Sequence, residues 1–339
     1  MNASSAPRPA ALTAALLAAL LLLGAVAVLS LFVGSAALSP AEVVGALSRA
    51  DEDLISRMTV SGLRLPRTLL GIAVGVALGT AGALAQAVTR NPLADPGILG
   101  VSAGAGLAVS LAVAFLGLTR VEDYRWFAFA GALGAFALVY AIALRGPHGA
   151  TPVRLTLVGV ALSAVLTGAS QSLALLRPHV FDQMRFWGAG TLADRPQGTL
   201  TAVLPFIAVG VVCALLTGRA ANAMALGDER ARTLGVPVGV LRWLMTVLIA
   251  VLCGAATAAA GPIAFVGLMV PHAVRAVTGP DQRWVFALSA VLAPVLLLLA
   301  DILGRLLVWP AELQAGIVTA FLGAPVLVLL VRRAERGGL

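Results

Sequence analysis

A chain of 339 residues that is 60% hydrophobic, with a mean hydropathy of +0.99, is not an ordinary soluble globular protein; only 11% of its residues are charged, against about 25% for that class. The net charge of +8 does not point to nucleic acid, because the basic residues are spread between apolar runs. All 23 basic residues are arginine, so the chain cannot supply the lysine of a GxxxxGK[ST] phosphate loop, and any ATP chemistry must come from a partner.

A helix needs about 20 apolar residues to cross the hydrocarbon core. On that measure the sequence predicts an all-α polytopic membrane protein, one transmembrane domain over residues 1–339 with ten spans in a single bundle: 11–34, 65–88, 96–117, 126–145, 154–176, 199–218, 240–260, 262–274, 284–308 and 314–332. The first apolar run is too long for a signal-peptide core and is read as a retained span. Between it and the second lies an acidic segment with Glu42, Asp51, Glu52 and Asp53, expected to form a short amphipathic helix outside. The second and third spans are rich in Gly and Ala and flank a proline-broken turn, Arg90-Asn91-Pro92-Leu93-Ala94-Asp95-Pro96. Small residues let helices approach closely, and broken backbone at the membrane edge is tolerated against protein or an aqueous path.

The fifth span carries Gly159, Ser163, Thr167, Gly168, Ser170 and Ser172 at near-helical spacing, which suits either tight packing or a channel wall. Residues 219–239 hold a rough apolar face (Met224, Leu226, Ala231, Leu234) among Asp228, Glu229, Arg230 and Arg232, and predict a short helix on the inner surface, either a membrane-surface helix or a docking element. The eighth span is short, begins at Gly261-Pro262, and is either half-inserted or fully crossing. Cys213 and Cys253 lie within spans and read as buried free thiols. Ten spans place both termini on one side. With that side cytoplasmic, 13 of 23 arginines but only 5 of 15 acidic residues lie inside, so the inner segments carry 13 − 5 = +8.

Taken together, several motifs resemble the FecCD-type permease subunit of bacterial ABC importers for iron-siderophores, haem and cobalamin, the type II importer fold. They are Arg64-Leu65-Pro66-Arg67, Gln86 with Asn91-Pro92-Leu93-Ala94, Leu226-Gly227-Asp228 with Ala231 and Leu234-Gly235, AGPIAFVGLMVPHAVR (260–275), Ala300-Asp301 with Arg305, and AELQAGIVTAFLGAPV (311–326). The resemblance implies a second permease subunit across a shared path, two cytoplasmic ATPases below, an extracytoplasmic substrate-binding protein above, and a location in the bacterial inner membrane. It implies no bound cofactor, and ATP hydrolysis on a separate subunit.

The resemblance also assigns roles. Arg64, Arg67 and Arg305 correspond to arginines that pair with carboxylates on the binding protein, a role suited to the bidentate, always-charged guanidinium. The alternatives are snorkelling for Arg64 and Arg67 and neutralisation of Asp301, four residues away, for Arg305. Residues 222–236 correspond to the coupling helix that seats in the ATPase, with Ala225, Leu226, Gly227, Asp228, Glu229, Ala231, Leu234 and Gly235 as contacts. Asn91 and Leu93 correspond to the narrowing of the inner mouth; Asn91 alternatively caps a plain turn. Gly159, Ser163 and Thr167 correspond to the path wall, and Trp187, in a short outer helix, to a gate or interface anchor. Two positions depart from the pattern: Pro152 and Val153 replace small hydroxyl residues, and Gln314-Ala315 replaces proline and an apolar residue.

His148 and His272 are expected inside and His179 outside, so the three do not form one metal site, and no nucleophile–base pair suggests an enzyme. An ion-coupled secondary transporter would need a midplane site, for which Asp301 is the acidic candidate. The favoured reading is a ferric-siderophore importer, with haem and cobalamin open.

Overall fold

A computed structural model describes residues 9–34, 36, 38–48, 53–145 and 151–336; Asp51, Glu52 and His148 lie outside the described residues. Hydrocarbon offers backbone groups no water, so spanning segments must satisfy their own hydrogen bonds, and here they do so as helices. The order is α1 (Pro9–Phe32), α2 (Pro40–Ser48), α3 (Leu54–Arg57), α4 (Leu65–Thr89), α5 (Val101–Leu116), α6 (Val121–Leu144), α7 (Pro152–Leu176), α8 (Pro178–Trp187), α9 (Thr199–Ala225), α10 (Asp228–Thr233), α11 (Val238–Ala260), α12 (Val266–Thr278), α13 (Gln282–Leu307) and α14 (Ala315–Arg336). Seven helical stretches are long and apolar enough to cross a membrane, and α5, α12 and the apolar part of α14 are shorter. Among the described residues, these ten helical segments overlap in sequence with the ten expected spans.

The differences have local causes. The fourth segment starts at Val121, earlier than expected, because Glu122 and Asp123 occupy its first turn, where acidic side chains suit the helix dipole. The third expected span divides into a 3-10 turn (Pro96–Leu99), a left-handed Gly100, and α5. Asp95 caps that turn by accepting from Gly97 N at 2.8 Å.

Most of α4 is buried, packed against α13, α11, α12 and α9. Glycines mark its closest approaches. A Cβ on Gly75 would lie 2.4 Å from the Pro294 backbone, and one on Gly82 would lie 1.9 Å from the Gly267 carbonyl. Close backbone approach is how helices gain packing where no hydrophobic effect drives them together.

The 13 residues of α12 give about 20 Å of rise, short of a roughly 30 Å hydrocarbon core. The helix starts part-way along α4: a Cβ on Gly267 would meet Leu78 O at 2.9 Å. The helical part of the eighth span is therefore too short to cross by itself. Non-helical residues 261–265 lead into it: Gly261 N donates to Thr257 O at 2.8 Å, and Phe265 O accepts from Met269 N at 2.8 Å. Pro262, Ile263 and Ala264 line a cavity of about 510 Å³ with Asp95, Cys253 and Phe321, the setting in which irregular backbone is tolerated at depth.

Candidate functional site

Polar side chains gather at the two ends of the bundle. At one end, the C-terminus of α1, the N-terminus of α4 and the C-terminus of α13 converge on Asp301, which is 0% exposed. Arg67 grips it in bidentate fashion, with Nε at 3.0 Å and Nη2 at 2.7 Å, and reaches Glu312 through Nη1 at 2.6 Å. Arg305 pairs with Asp301 Oδ2, the oxygen that Arg67 Nε also meets, and donates to Ser30 O at 2.9 Å and Val33 O at 2.8 Å. Arg64 donates to Leu31 O at 2.9 Å and Ala36 O at 2.6 Å. The guanidinium fork suits such work, because five donors can close several carbonyl ends at once.

All three arginines singled out in the sequence thus meet in one place. Arg305 and Arg64 are 1% and 5% exposed and are bonded within the chain, so neither is a free surface cation in this conformation; Arg67 lies nearer the rim. Beside them, a cavity of about 520 Å³ is lined by Arg67, Tyr124, Trp187, Asp194, Arg195 and Glu312. Trp187, expected as a gate or interface anchor, is 4% exposed, and a Cβ on Gly106 would touch its ring at 3.7 Å. Its size and apolar ring put it in the core of the chain. Sequence reading misses Arg195, whose Nε and Nη2 close Thr191 O at 3.0 Å and Ala260 O at 2.9 Å. An arginine in an unpatterned loop gives no local signal of such bonds.

At the other end, the expected helix over 222–236 is two elements. Residues 222–225 finish α9, and α10 spans only Asp228–Thr233 between Gly227 (φ 107) and Gly235 (φ 79). Glycine is what such left-handed positions favour, and it stops the helix on both sides. The apolar face divides accordingly. Met224 and Ala231 are buried, while Leu226 and Leu234, 56% and 64% exposed, project outward with Ala225 and Glu229.

Asp228, expected to face a partner, is held inside the chain. It pairs with Arg90 and accepts from Arg242 Nη2 at 2.8 Å. Burial alone would raise its carboxyl, but the bonds and charges of Arg242 and Arg90 outweigh this and hold it below the usual aspartate range. The stabilisation is therefore present above the unfolded pKa of about 3.9 and is lost as pH falls through the lowered folded value. Hydrogen-exchange protection of residues 226–237 should hold from neutral pH to about pH 5 and collapse below about pH 4. An Asp228→Asn variant should show the low protection at both; equal acid sensitivity in the variant would assign the transition elsewhere.

The turn between α4 and α5 sits beside this pair. Asn91 Oδ1 accepts from Leu93 N at 2.9 Å, the capping geometry; Asn91 is exposed and Leu93 half-buried. Deeper in, Arg275 bonds Gln86, Gln86 donates to Leu268 O at 3.1 Å, and Asn222 donates to Asp281 at 2.7 Å. Along α7 the predicted wall residues rotate outward turn by turn. Gly159 is buried against the Gly100 turn, Ser163 is half-buried and donates to Gly159 O at 2.7 Å, and Thr167 is exposed. Among the residues of α7 only Leu155 and Gly159 are buried.

Ten membrane segments, with a short helix between two glycines at one end and a buried ionic cluster at the other, make up a fold that matches an ABC importer permease. A solved chain described as a metal-chelate type ABC transporter in an inward-facing conformation superposes with a TM-score of 0.84 at 27% identity, covering 95% of this chain and 99% of that one. Residues 19–333 match the FecCD transport family, and the chain belongs to it. It is 47% identical to the ferric enterobactin transport system permease protein FepD of Escherichia coli (strain K12), over 94% of this chain and 95% of that one. It is 38% identical to the hemin transport system permease protein HmuU of Yersinia pestis, over 81% and 84% of the two chains. As an ABC importer permease it works with an ATPase carried on a separate subunit and with a substrate-binding protein.

Proposed function

We propose that this chain imports a ferric siderophore across the bacterial inner membrane by ATP-driven alternating access. The observation that carries this reading is the 47% identity, over nearly the full length, with a ferric enterobactin permease. In this arrangement the Asp228 end is cytoplasmic, with both termini, and the Asp301 end faces the binding protein. Two permease subunits, identical or paralogous, enclose the path and stand on two ATPases. The exposed face of α7, with Thr167 on it, is the wall turned to the partner subunit. Leu226 and Leu234 are the apolar contacts offered to the ATPase, and Glu229 is the polar one. Binding-protein carboxylates dock at the Asp301 end, with Arg67 at the rim and Arg64 and Arg305 supporting it from behind.

An ion-coupled rival would need a carboxylate free to bind and release a cation. Asp301 is unsuited to that role, because Arg67 and Arg305 already hold it. The test is uptake of radiolabelled iron into vesicles carrying the chain with its partner permease, ATPases and binding protein. Ferric enterobactin should accumulate only with ATP inside the ATPase compartment. Accumulation by the permease alone, or of haem or cobalamin in its place, would refute the assignment.

A further inference from the structure

The geometry around α10 assigns a role to three charged residues that family membership does not define. Gly227 and Gly235, both left-handed, flank six residues, so α10 is a short lever on two pivots. Upstream of the first pivot, α9 is fixed: Asn222 donates to Asp281 at 2.7 Å and accepts from Gln282 N at 2.7 Å, which ties it to the start of α13. A displacement of α10 is thus not passed on by the backbone before it. Among the described residues, the ion pairs of α10 are both at Asp228, one to Arg90 and one to Arg242.

Arg90 ends α4 in a left-handed conformation (φ 52), and its Nη2 also donates to Met224 O at 2.8 Å. It leads directly into a compact turn. Asn91 Oδ1 accepts from Leu93 N at 2.9 Å, and Ala94 N donates to Asn91 O at 3.1 Å. The Asp95 carboxylate accepts from Gly97 N at 2.8 Å, and Pro96 packs on α12, where a Cβ on Gly267 would lie 2.9 Å from Pro96 Cδ. The turn is therefore a small braced body, joined to α12 on one side and, through a single guanidinium, to α10 on the other.

We propose that Arg90, Asp228 and Arg242 are positioning residues that convert movement of α10 into movement of the 90–95 turn, and that Arg90 carries the motion to the turn while Arg242 keeps α10 registered on α11. This rests on the reading of α10 as the element that receives force from the ATPase. An ion pair suits such a link because it is directional and partly desolvated, and it breaks as a unit where an apolar contact would slide.

The test uses the complete reconstituted importer, with ATP hydrolysis and ferric enterobactin uptake measured on the same vesicles. Arg90→Gln and Asp228→Asn should each leave ATPase assembly and hydrolysis intact and reduce substrate carried per ATP by about tenfold or more, the scale of one lost charge-assisted bond. The double variant should be no worse than either single one, and Asp228→Glu should restore most of the coupling. Unaltered coupling in Arg90→Gln, or additive losses, would overturn the linkage. Loss of ATPase assembly in Asp228→Asn with Arg90→Gln unaffected would make Asp228 a docking residue and overturn it as well. If the unsubstituted complex shows no ATP-driven uptake, the functional reading fails first, and the linkage falls with it.

Discussion

Asp301→Ala should destabilise the protein by about 3–5 kcal/mol, the cost of stranding a buried charge by removing its partner. The carboxylate is fully buried and holds two guanidiniums: Arg305 loses its counter-ion outright, and Arg67 keeps only Glu312 at the rim. Neither can discharge, since arginine does not deprotonate in proteins. Thermal unfolding in detergent measures the loss. A second variant separates electrostatics from packing: Asp301→Leu combined with Arg67→Met and Arg305→Met removes Asp301 with both of its ion-pair partners and leaves Arg64 on its carbonyls. Apolar replacement of a complete ionic cluster is often neutral or stabilising, so the triple variant should recover much of the single variant's loss. It should also fail to dock a binding protein if Arg67 serves that end as proposed. A single variant as stable as the parent would show that water reaches the cluster.

Gly82→Ala should be the next most damaging change. The added Cβ would lie 1.9 Å from the Gly267 carbonyl, backbone against backbone, so no rotamer change relieves it. Overpacking of this kind costs about 1–3 kcal/mol or more, and here it would also push α12 away from α4. Gly24→Ala is the matched control: nothing lies within 4 Å of a Cβ there, and replacing a mid-helix glycine should be neutral or stabilise by about 0.5–1 kcal/mol. The pair is read by detergent unfolding and by transport. Equal behaviour of the two would mean that the α4–α12 contact is looser than it stands here.

The spans are legible in the sequence because crossing a membrane sets a length and a composition that one stretch of chain must satisfy by itself. So are the short eighth segment, through Gly261-Pro262, and the turn at 90–96, through its prolines. The ionic cluster is legible only as a set of residues. Asp301–Arg305 is four residues apart and shows in the local pattern, but Arg67–Asp301 joins residues 234 apart, and nothing local announces it. The same holds for Asp228, which reads as a surface acid until Arg90 and Arg242 are brought to it. The reading of 222–236 as one helix is over-long because a glycine at 227 suits close contact as well as a break, and only its φ of 107 shows that it divides the segment in two. The burial of Trp187 is not legible either, because an aromatic in a short outer helix carries no mark of which side of that helix is covered.

The cation side of the Asp301 cluster is made entirely of guanidinium groups, and this limits how the site can change over evolutionary time. A lysine in the same place could shed its proton when a neighbour mutates and wait, neutral, for a compensating substitution. Arginine offers no such intermediate, so drift at Asp301, Arg67 and Arg305 should proceed through correlated double replacements or not at all.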